Sequence, residues 1–353
     1  MSEKKIAFGR HRCGLRIAVG AALAMLGSAL WIAEVQAQSE DAFFKNKRID
    51  LIIGYDPGAS YDAYGRLLAR HLTDHIPGSP AIVPMNKPGA GSLVAANMLF
   101  QEARKDGTAL GILGQSIYFT QLIGQSNIKY DALKFSWIGR ITNVTDLVIA
   151  WHESKAKTIA DLQHTKVTVA VGGAISGSTF YINFMNAMLA TMFEPIKGYD
   201  GNAPMLAMER GEIDATASVN WFGLQSSHPQ WIRDKTINVL VQIGLERAKG
   251  LEDIPLLPEL AKNENDRKIL VALASTDEIG RSVVAPPDMP AGRMAILRRA
   301  FMATVTSDRF LADAGKMNLA INPMSGEDLA KLVANSGDLT PDMIAQIRKM
   351  VGS

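Results

Sequence analysis

Two stretches of this chain alternate short β-rich apolar runs with helical ones, and the joints between them are built from Gly, Ser, Asn and Asp. In the first stretch the pattern predicts a buried strand over 48–55, a Pro57-Gly58 turn and a helix near 61–72. A second strand over 81–85, a glycine-rich loop over 86–92, a helix over 93–103 with Ser92 at its cap, and a third strand over 109–114 after Asp106-Gly107 complete it. Strands separated by helices return in the same direction. The order therefore points to an open, mostly parallel sheet with helices on both faces.

The pattern restarts in the middle of the chain. Runs over 147–151, 167–172, 215–219 and 239–243 predict strands, with helices over 178–191 and 205–210 between them. A strand over 281–285 leads into Pro286-Pro287, and the remainder is largely helical, over 292–304, 308–314, 327–334 and 341–351. No internal repeat, low-complexity tract or long linker interrupts this. The economical architecture is two α/β lobes joined near 141–146 and 277–281, with the terminal helices returning to the first lobe.

The front of the chain reads differently. Lys4, Lys5, Arg10, Arg12 and Arg16 precede an almost wholly apolar run over 17–33, then Val35-Gln36-Ala37, a small-x-small cleavage pattern, and polar residues after it. This is the order of a cleavable secretory signal, and it predicts export to the periplasm; a membrane-spanning helix is the alternative. Removing residues 1–37 from the 353 leaves 316 and takes five of the 37 bases and two of the 35 acids, so 32 Lys+Arg face 33 Asp+Glu and the net charge is −1. No basic field remains for nucleic acid. Cys13, the one cysteine, leaves too, so no thiol chemistry, disulfide or cysteine metal site is expected. A chain without such staples relies on a large core, which this length supplies.

In α/β sheets ligands sit at the carboxyl ends of strands, where helix N-termini aim free N–H groups and partial positive charge. Three loops have that form, over 55–62, 86–92 and 172–179. The third has the spacing of a phosphate-binding loop, Gly172-x4-Gly177-Ser178-Thr179, but Ser178 stands where the lysine belongs. Gly89-x-Gly91 has Val94 where a dinucleotide site needs its third glycine. What remains is a set of backbone N–H and hydroxyl donors suited to a carboxylate or a neutral polar group, so no cofactor is expected. Taken singly, each glycine could equally be a turn.

As a set, these segments resemble a known family. Pro57-Gly58-x-x-x-Asp62, Arg66-Leu67-Leu68-Ala69, Asn86-x-Pro88-Gly89-Ala90-Gly91 and Asp106-Gly107-Thr108 look like the Bug family, the periplasmic solute receptors of tripartite tricarboxylate transporters. Gly172-x4-Gly177-Ser178, Gly198-Tyr199-Asp200-Gly201, Gly211-Glu212-Ile213-Asp214 and a proline-bounded 285–290 continue the match through the second lobe. The resemblance implies a two-lobed, Venus-flytrap fold of the type II periplasmic binding protein class: a signal peptide over 1–37, lobe one over 38–145 and 280–353, and lobe two over 146–279. It implies a small carboxylate held between the lobes largely by main-chain amides, hydroxyls and water, and delivered to membrane permease subunits. The residues carried over are Tyr55, Gly58, Ala59, Ser60, Ala90, Gly91, Gln115 and Ser116 from lobe one, and Ser176, Gly177, Ser178, Thr179 and Asp214 from lobe two. Two other outputs share the fold: a sensor that presents the solute to a membrane sensor kinase, and a periplasmic hydrolase.

The sequence departs from the family where the first loop usually runs aromatic-x-Pro-Gly-Gly-Gly. Ala59 and Ser60 replace two glycines, Tyr61 adds bulk and Asp56 adds an acid that would repel a carboxylate if it faced inward. Sharper chemistry finds little support. His71 and His75 share a helix face as zinc ligands do, but Leu72 replaces the glutamate of a metalloprotease and no third ligand is apparent. Ser176 lies in Gly-Ala-Ile-Ser-Gly, not in a nucleophile elbow, and no base can be assigned to it. Asp62 reads as a helix cap, and Asp214 as either a cap or a ligand-orienting group.

Overall fold

The computed structural model describes residues 40–351 apart from 41, 125, 174–175, 200–202 and 336–338. The predicted signal peptide lies outside the described residues, as do Ala174, Ile175, Asp200 and Gly201 of the motifs. Among the described residues no helix is long and apolar enough to cross a membrane.

The described residues form two sheets. β1 (Arg48–Ile53), β2 (Ala81–Asn86), β3 (Ala109–Ile112) and β4 (Ser136–Thr142) come first in the chain. β5 (Asp146–Trp151), β6 (Val167–Val171), β7 (Phe193–Lys197), β8 (Ala215–Asn220) and β9 (Ile237–Ile243) follow, then β10 (Arg281–Ala285) and β11 (Met324–Ser325). The first sheet has the order β11-β4-β10-β3-β1-β2 and the second β7-β6-β8-β5-β9. The chain thus leaves one sheet after Thr142, builds the other, and returns at Arg281. This is a two-lobed α/β fold.

Each sheet is mixed, which corrects the expectation of mostly parallel sheets. β2-β1-β3 and β7-β6-β8 are parallel, as strands linked by crossover helices must be. β5 and β10 run antiparallel to both their neighbours. These are the strands by which the chain enters a sheet from the other lobe, so no crossover helix of that sheet sets their direction.

The mostly apolar sequence of β1 follows from its two covered faces. Ile49, Leu51 and Ile53 join one core with Leu67 and Leu68 of helix α1 (Ser60–Leu72), while Ile52 joins another with Leu99 of α2 (Leu93–Gln101). Beyond β3 comes α3 (Ile117–Leu122); in the second lobe α4 (Gly177–Phe184) runs on into a π-helical turn, Met185–Leu189. The predicted cap at Ser92 is corrected: its φ is 80°, it makes no side-chain cap bond, and its buried hydroxyl has no partner among the described residues.

Several elements fall outside the sequence expectation, the helices Ile117–Leu122, Trp221–Ser227 and Pro229–Arg233 among them. β4 is wholly buried but its apolar run is broken by Gly139 and Arg140; β7 is an edge strand exposed from Glu194 to Lys197; and α5 (Glu264–Ile279) opens on five polar residues. Of the terminal helices, α6 (Ala291–Val305) and α7 (Gly326–Asn335) pack on the first sheet through Phe301 and Leu329. The last, α8 (Pro341–Val351), instead buries Met343 and Ile347 among second-lobe residues such as Phe180 and Phe184, and Arg348 Nε reaches back to the Ile123 carbonyl at 2.9 Å.

The two crossings between lobes touch. Val144 N–H donates to the Asp277 carbonyl at 2.9 Å, and Asp146 N–H donates to Asp277 Oδ2 at 3.1 Å. Gly280 (φ 54°) permits this approach, because a Cβ there would collide with the Thr142 carbonyl.

Candidate functional site

A cavity of about 380 Å³ lies between the lobes, bounded by the loops after β1 and β3, the N-terminus of α4, the end of β8 and the crossings. Glycines let its first-lobe wall converge. A Cβ on Gly54 would overlap the Ser92 hydroxyl, and one on Gly114 would stand only 2.8 Å from both the Gly91 carbonyl and the Tyr55 hydroxyl.

Tyr55 and Tyr61 stack within this wall, ring centres 4.0 Å apart and 13° from coplanar. Tyr61 Oη accepts a hydrogen bond from Gln115 N–H at 3.0 Å and donates to Gln115 Oε1 at 3.3 Å. The Arg281 guanidinium lies 4.0 Å from the centre of the Tyr61 ring, and its Nη1 donates to Gln115 Oε1 at 2.6 Å. Arg281 Nε is buried and has no partner among the described residues.

The network continues across the hinge. Gln115 Nε2 donates to Asp277 Oδ1 at 2.7 Å, and Tyr181 of α4 donates to the same oxygen at 3.1 Å. Asp146, at the start of β5, lines the cavity and accepts from Ser218 at 2.7 Å through Oδ2. Burial pushes the Asp277 carboxyl well above its usual range, and the neighbouring Asp146 adds to this. Burial also raises Asp146, against the opposing pull of Ser218 and Arg281. Desolvation alone would lower Arg281, but Tyr61, Asp146 and Tyr55 outweigh it and hold the guanidinium charged.

On the second lobe, Ser176 caps α4, its Oγ accepting from Thr179 N–H at 3.2 Å. Ser176 and Gly177 line the cavity beside Tyr181, Ser218 and Asn220. Such a wall offers helix-end donors and hydroxyls facing a fixed cation.

Of the residues singled out in the sequence, Tyr55, Gly91, Gln115, Ser116, Ser176 and Gly177 line this cavity. Gly58, Ala59, Ser60 and Ala90 lie outside its lining; the Gly58 N–H is already bonded to Asp62 at 2.9 Å, and Ala90 and Ser60 are solvent-exposed. Ser178 and Thr179 turn their hydroxyls into their own loop, Ser178 accepting from Gly172 N–H at 3.0 Å and Thr179 donating to the Gly173 carbonyl at 2.9 Å. Asp214 sits at the opposite end of the sheet, where its Oδ2 accepts from Thr168 N–H and hydroxyl at 3.0 and 2.7 Å. Asp56 is exposed and absent from the lining.

Sequence reasoning missed Arg281, Asp146, Ser218, Tyr181 and Asp277. Arg281 had a signal: it opens a strand whose other residues are all buried, next to a predicted hinge. His71 and His75 do not form a metal pair. His71 Nε2 lies 3.1 Å from Asp313 Oδ2, His75 is exposed, and among the described residues no group of three or more His, Cys, Asp or Glu is placed to hold a metal ion.

No family model matches the chain. It is 25% identical over 332 residues, 91% of this chain and 92% of its relative, to the "UPF0065 protein in gbd 5'region" of Cupriavidus necator. Among solved structures it is similar to a TctC solute binding protein from Polaromonas (19% identity, TM-score 0.65, covering 87% of this chain and 98% of that one). It is similar also to the periplasmic binding protein BugD (18%, 0.58, 86% and 97%) and to MatC from Rhodopseudomonas palustris with bound malate (18%, 0.58, 86% and 99%). The resemblance carried by the loop motifs is therefore matched by the fold, which is that of the TctC and BugD solute-binding proteins.

Proposed function

We propose that this chain is an exported solute receptor that captures a small carboxylic acid between its lobes and presents it to a tripartite tricarboxylate-type permease. The observation that carries this reading is Arg281: a cation stacked on Tyr61, set in the wall of an interlobe cavity, whose hydrogen bond among the described residues goes to the neutral Gln115 and not to a carboxylate. Backbone and hydroxyl donors at Ser116, Ser176 and Gly177 complete a surface that favours an anion. Closing both lobes over the solute buries it and selects the conformation a permease would recognise.

The similarity to malate-bound MatC and to the TctC and BugD proteins supports this reading and extends to the carboxylate class. Binding fits the site better than catalysis does. Ser176 Oγ is engaged by Ser178 and Thr179, both at 3.0 Å, and among the described residues no histidine or lysine lines the cavity to activate it. Lobe one is then built on 38–145 with 280–335 and lobe two on 146–279 with the last helix, Pro341–Val351, packed against it, and Tyr55, Gly91, Gln115, Ser116, Ser176 and Gly177 touch the solute, while Gly58, Ala59, Ser60, Ala90, Ser178, Thr179 and Asp214 shape the loops and sheets that carry them.

Mass spectrometry of small molecules released from the purified protein, followed by a thermal-shift screen of mono-, di- and aromatic carboxylates, tests the reading. A ligand that binds only the folded form raises its melting temperature. A carboxylate that does so supports the proposal; a panel that leaves the melting temperature unmoved, with no acid released, contradicts it.

A further inference from the structure

The cavity places a second charge-bearing group near the cation, and its hydrogen bonding is incomplete. Asp146 Oδ2 accepts from Ser218, whereas Oδ1 accepts from no described residue although Asp146 lines the cavity. Asp277, just behind, is different: Gln115 Nε2, Tyr181 and Asp146 N–H already supply it with three donors. The other charged groups of the hinge are paired with one another, Arg140 Nη1 lying 3.2 Å from Glu278 Oε2. Asp146 Oδ1 is thus a carboxylate acceptor at the cavity with no described partner, and Arg281 is the cation there.

These two do not neutralise each other by direct contact. Arg281 reaches Gln115 and the face of Tyr61, and Asp146 reaches Ser218. A plain carboxylate docked on Arg281 would therefore share a low-dielectric cavity with a second carboxylate, which must take up a proton or repel it. A ligand bearing its own N–H donor removes the conflict by filling the vacant acceptor. Resting on the receptor reading above, we propose that the solute is a carboxylic acid carrying an amino or amide N–H, its carboxylate on Arg281 and its N–H on Asp146 Oδ1.

The test is calorimetry of the full mature chain with butyrate, succinate, glutarate and adipate, each beside its amino-substituted counterpart. A charge-assisted hydrogen bond corresponds to a preference of about tenfold or more for the amino member of the best-binding pair. Asp146→Asn should collapse that preference to about twofold or less. A second measurement needs no variant. Repeating the wild-type titrations in buffers of different ionisation enthalpy should show proton uptake with the unsubstituted acid and little with its amino partner, because only the former forces a proton onto Asp146, whose neighbours are Asp277, Arg281, Ser218 and Tyr181. Equal affinities within every pair, a preference unchanged in Asp146→Asn, or equal proton uptake by both members overturns the inference and leaves the carboxylate receptor standing. Binding of neither member in any pair contradicts the receptor reading itself and takes this inference with it.

Discussion

Arg281 is held against Tyr61, its guanidinium carbon 4.0 Å from the centre of a ring that itself stacks on Tyr55. A cation fixed in this way loses little side-chain entropy on meeting an anion, and the aromatic face lowers the cost of keeping it out of water. Tyr61 is one of the positions where the first loop departs from the glycine-rich pattern of the resembling family, so the departure builds the site's charge into the wall.

Tyr61→Ala removes the stack, the cation–π contact and the bond from Gln115 N–H together. It is expected to weaken carboxylate binding about tenfold or more and to lower the melting temperature. Tyr61→Phe keeps both ring contacts and loses only the hydroxyl, at about 1 kcal/mol. Calorimetry and thermal melts of the two variants side by side check this ranking, and equal losses in both would count against the role given to the ring.

Ser116 and Ser178 should separate binding from folding. Ser116 lines the cavity and its side chain makes no capping bond, so Ser116→Ala should weaken binding severalfold and leave the melting temperature unchanged. Ser178 instead accepts the Gly172 N–H in a buried loop, so Ser178→Ala should destabilise the fold by about 1–2 kcal/mol, read from urea denaturation.

Asp62 and Asp277 should respond to pH in opposite senses. Burial pushes Asp62 up, but the bonds from Arg66, Gly58 N–H and Asn86 outweigh it and hold the carboxyl below its ordinary range. Its contribution is therefore present above the unfolded value of about 3.9 and is lost as the pH falls through the folded value. Urea denaturation at stepped pH should show the stability difference between the wild type and Asp62→Asn shrinking on the acid side.

Asp277 lies well above its ordinary value, so the folded state holds its proton where the unfolded chain has released it. Stability from this group is greatest below about pH 4 and declines as the pH rises towards the folded value. The wild type should lose ground to Asp277→Asn over that rise. A difference that is flat with pH would show that Asp277 releases its proton at the same pH in the folded and unfolded protein.

Much of the fold was legible because its strands are buried on two faces and its joints carry turn residues: β1, β6 and β10 appear in the sequence as short β-rich runs such as Val167–Val171. β7 was not, because an edge strand with Glu194, Pro195 and Lys197 exposed carries no apolar period, and β4 was not because Arg140 and Gly139 interrupt its apolar run. The direction of β5 and β10 depends on the lobe crossings, which no local pattern records. In the site, the loops that bring Gly91, Ser116 and Ser176 together were readable from glycine and cap residues. The charged hinge was not: Asp146 lies far in sequence from Asp277 and Arg281, and each alone looks like a strand or helix end.

Capture of a carboxylate by the cleft guanidinium is reached most directly by calorimetry of the wild type and Arg281→Gln against the same carboxylate panel, with circular dichroism showing that both are folded. The account predicts that at least one short carboxylate binds the wild type and binds Arg281→Gln about tenfold or more weakly, as loss of a charge-assisted hydrogen bond requires. Carboxylate binding of equal strength in the two proteins, or no binding to the wild type at all, would contradict it.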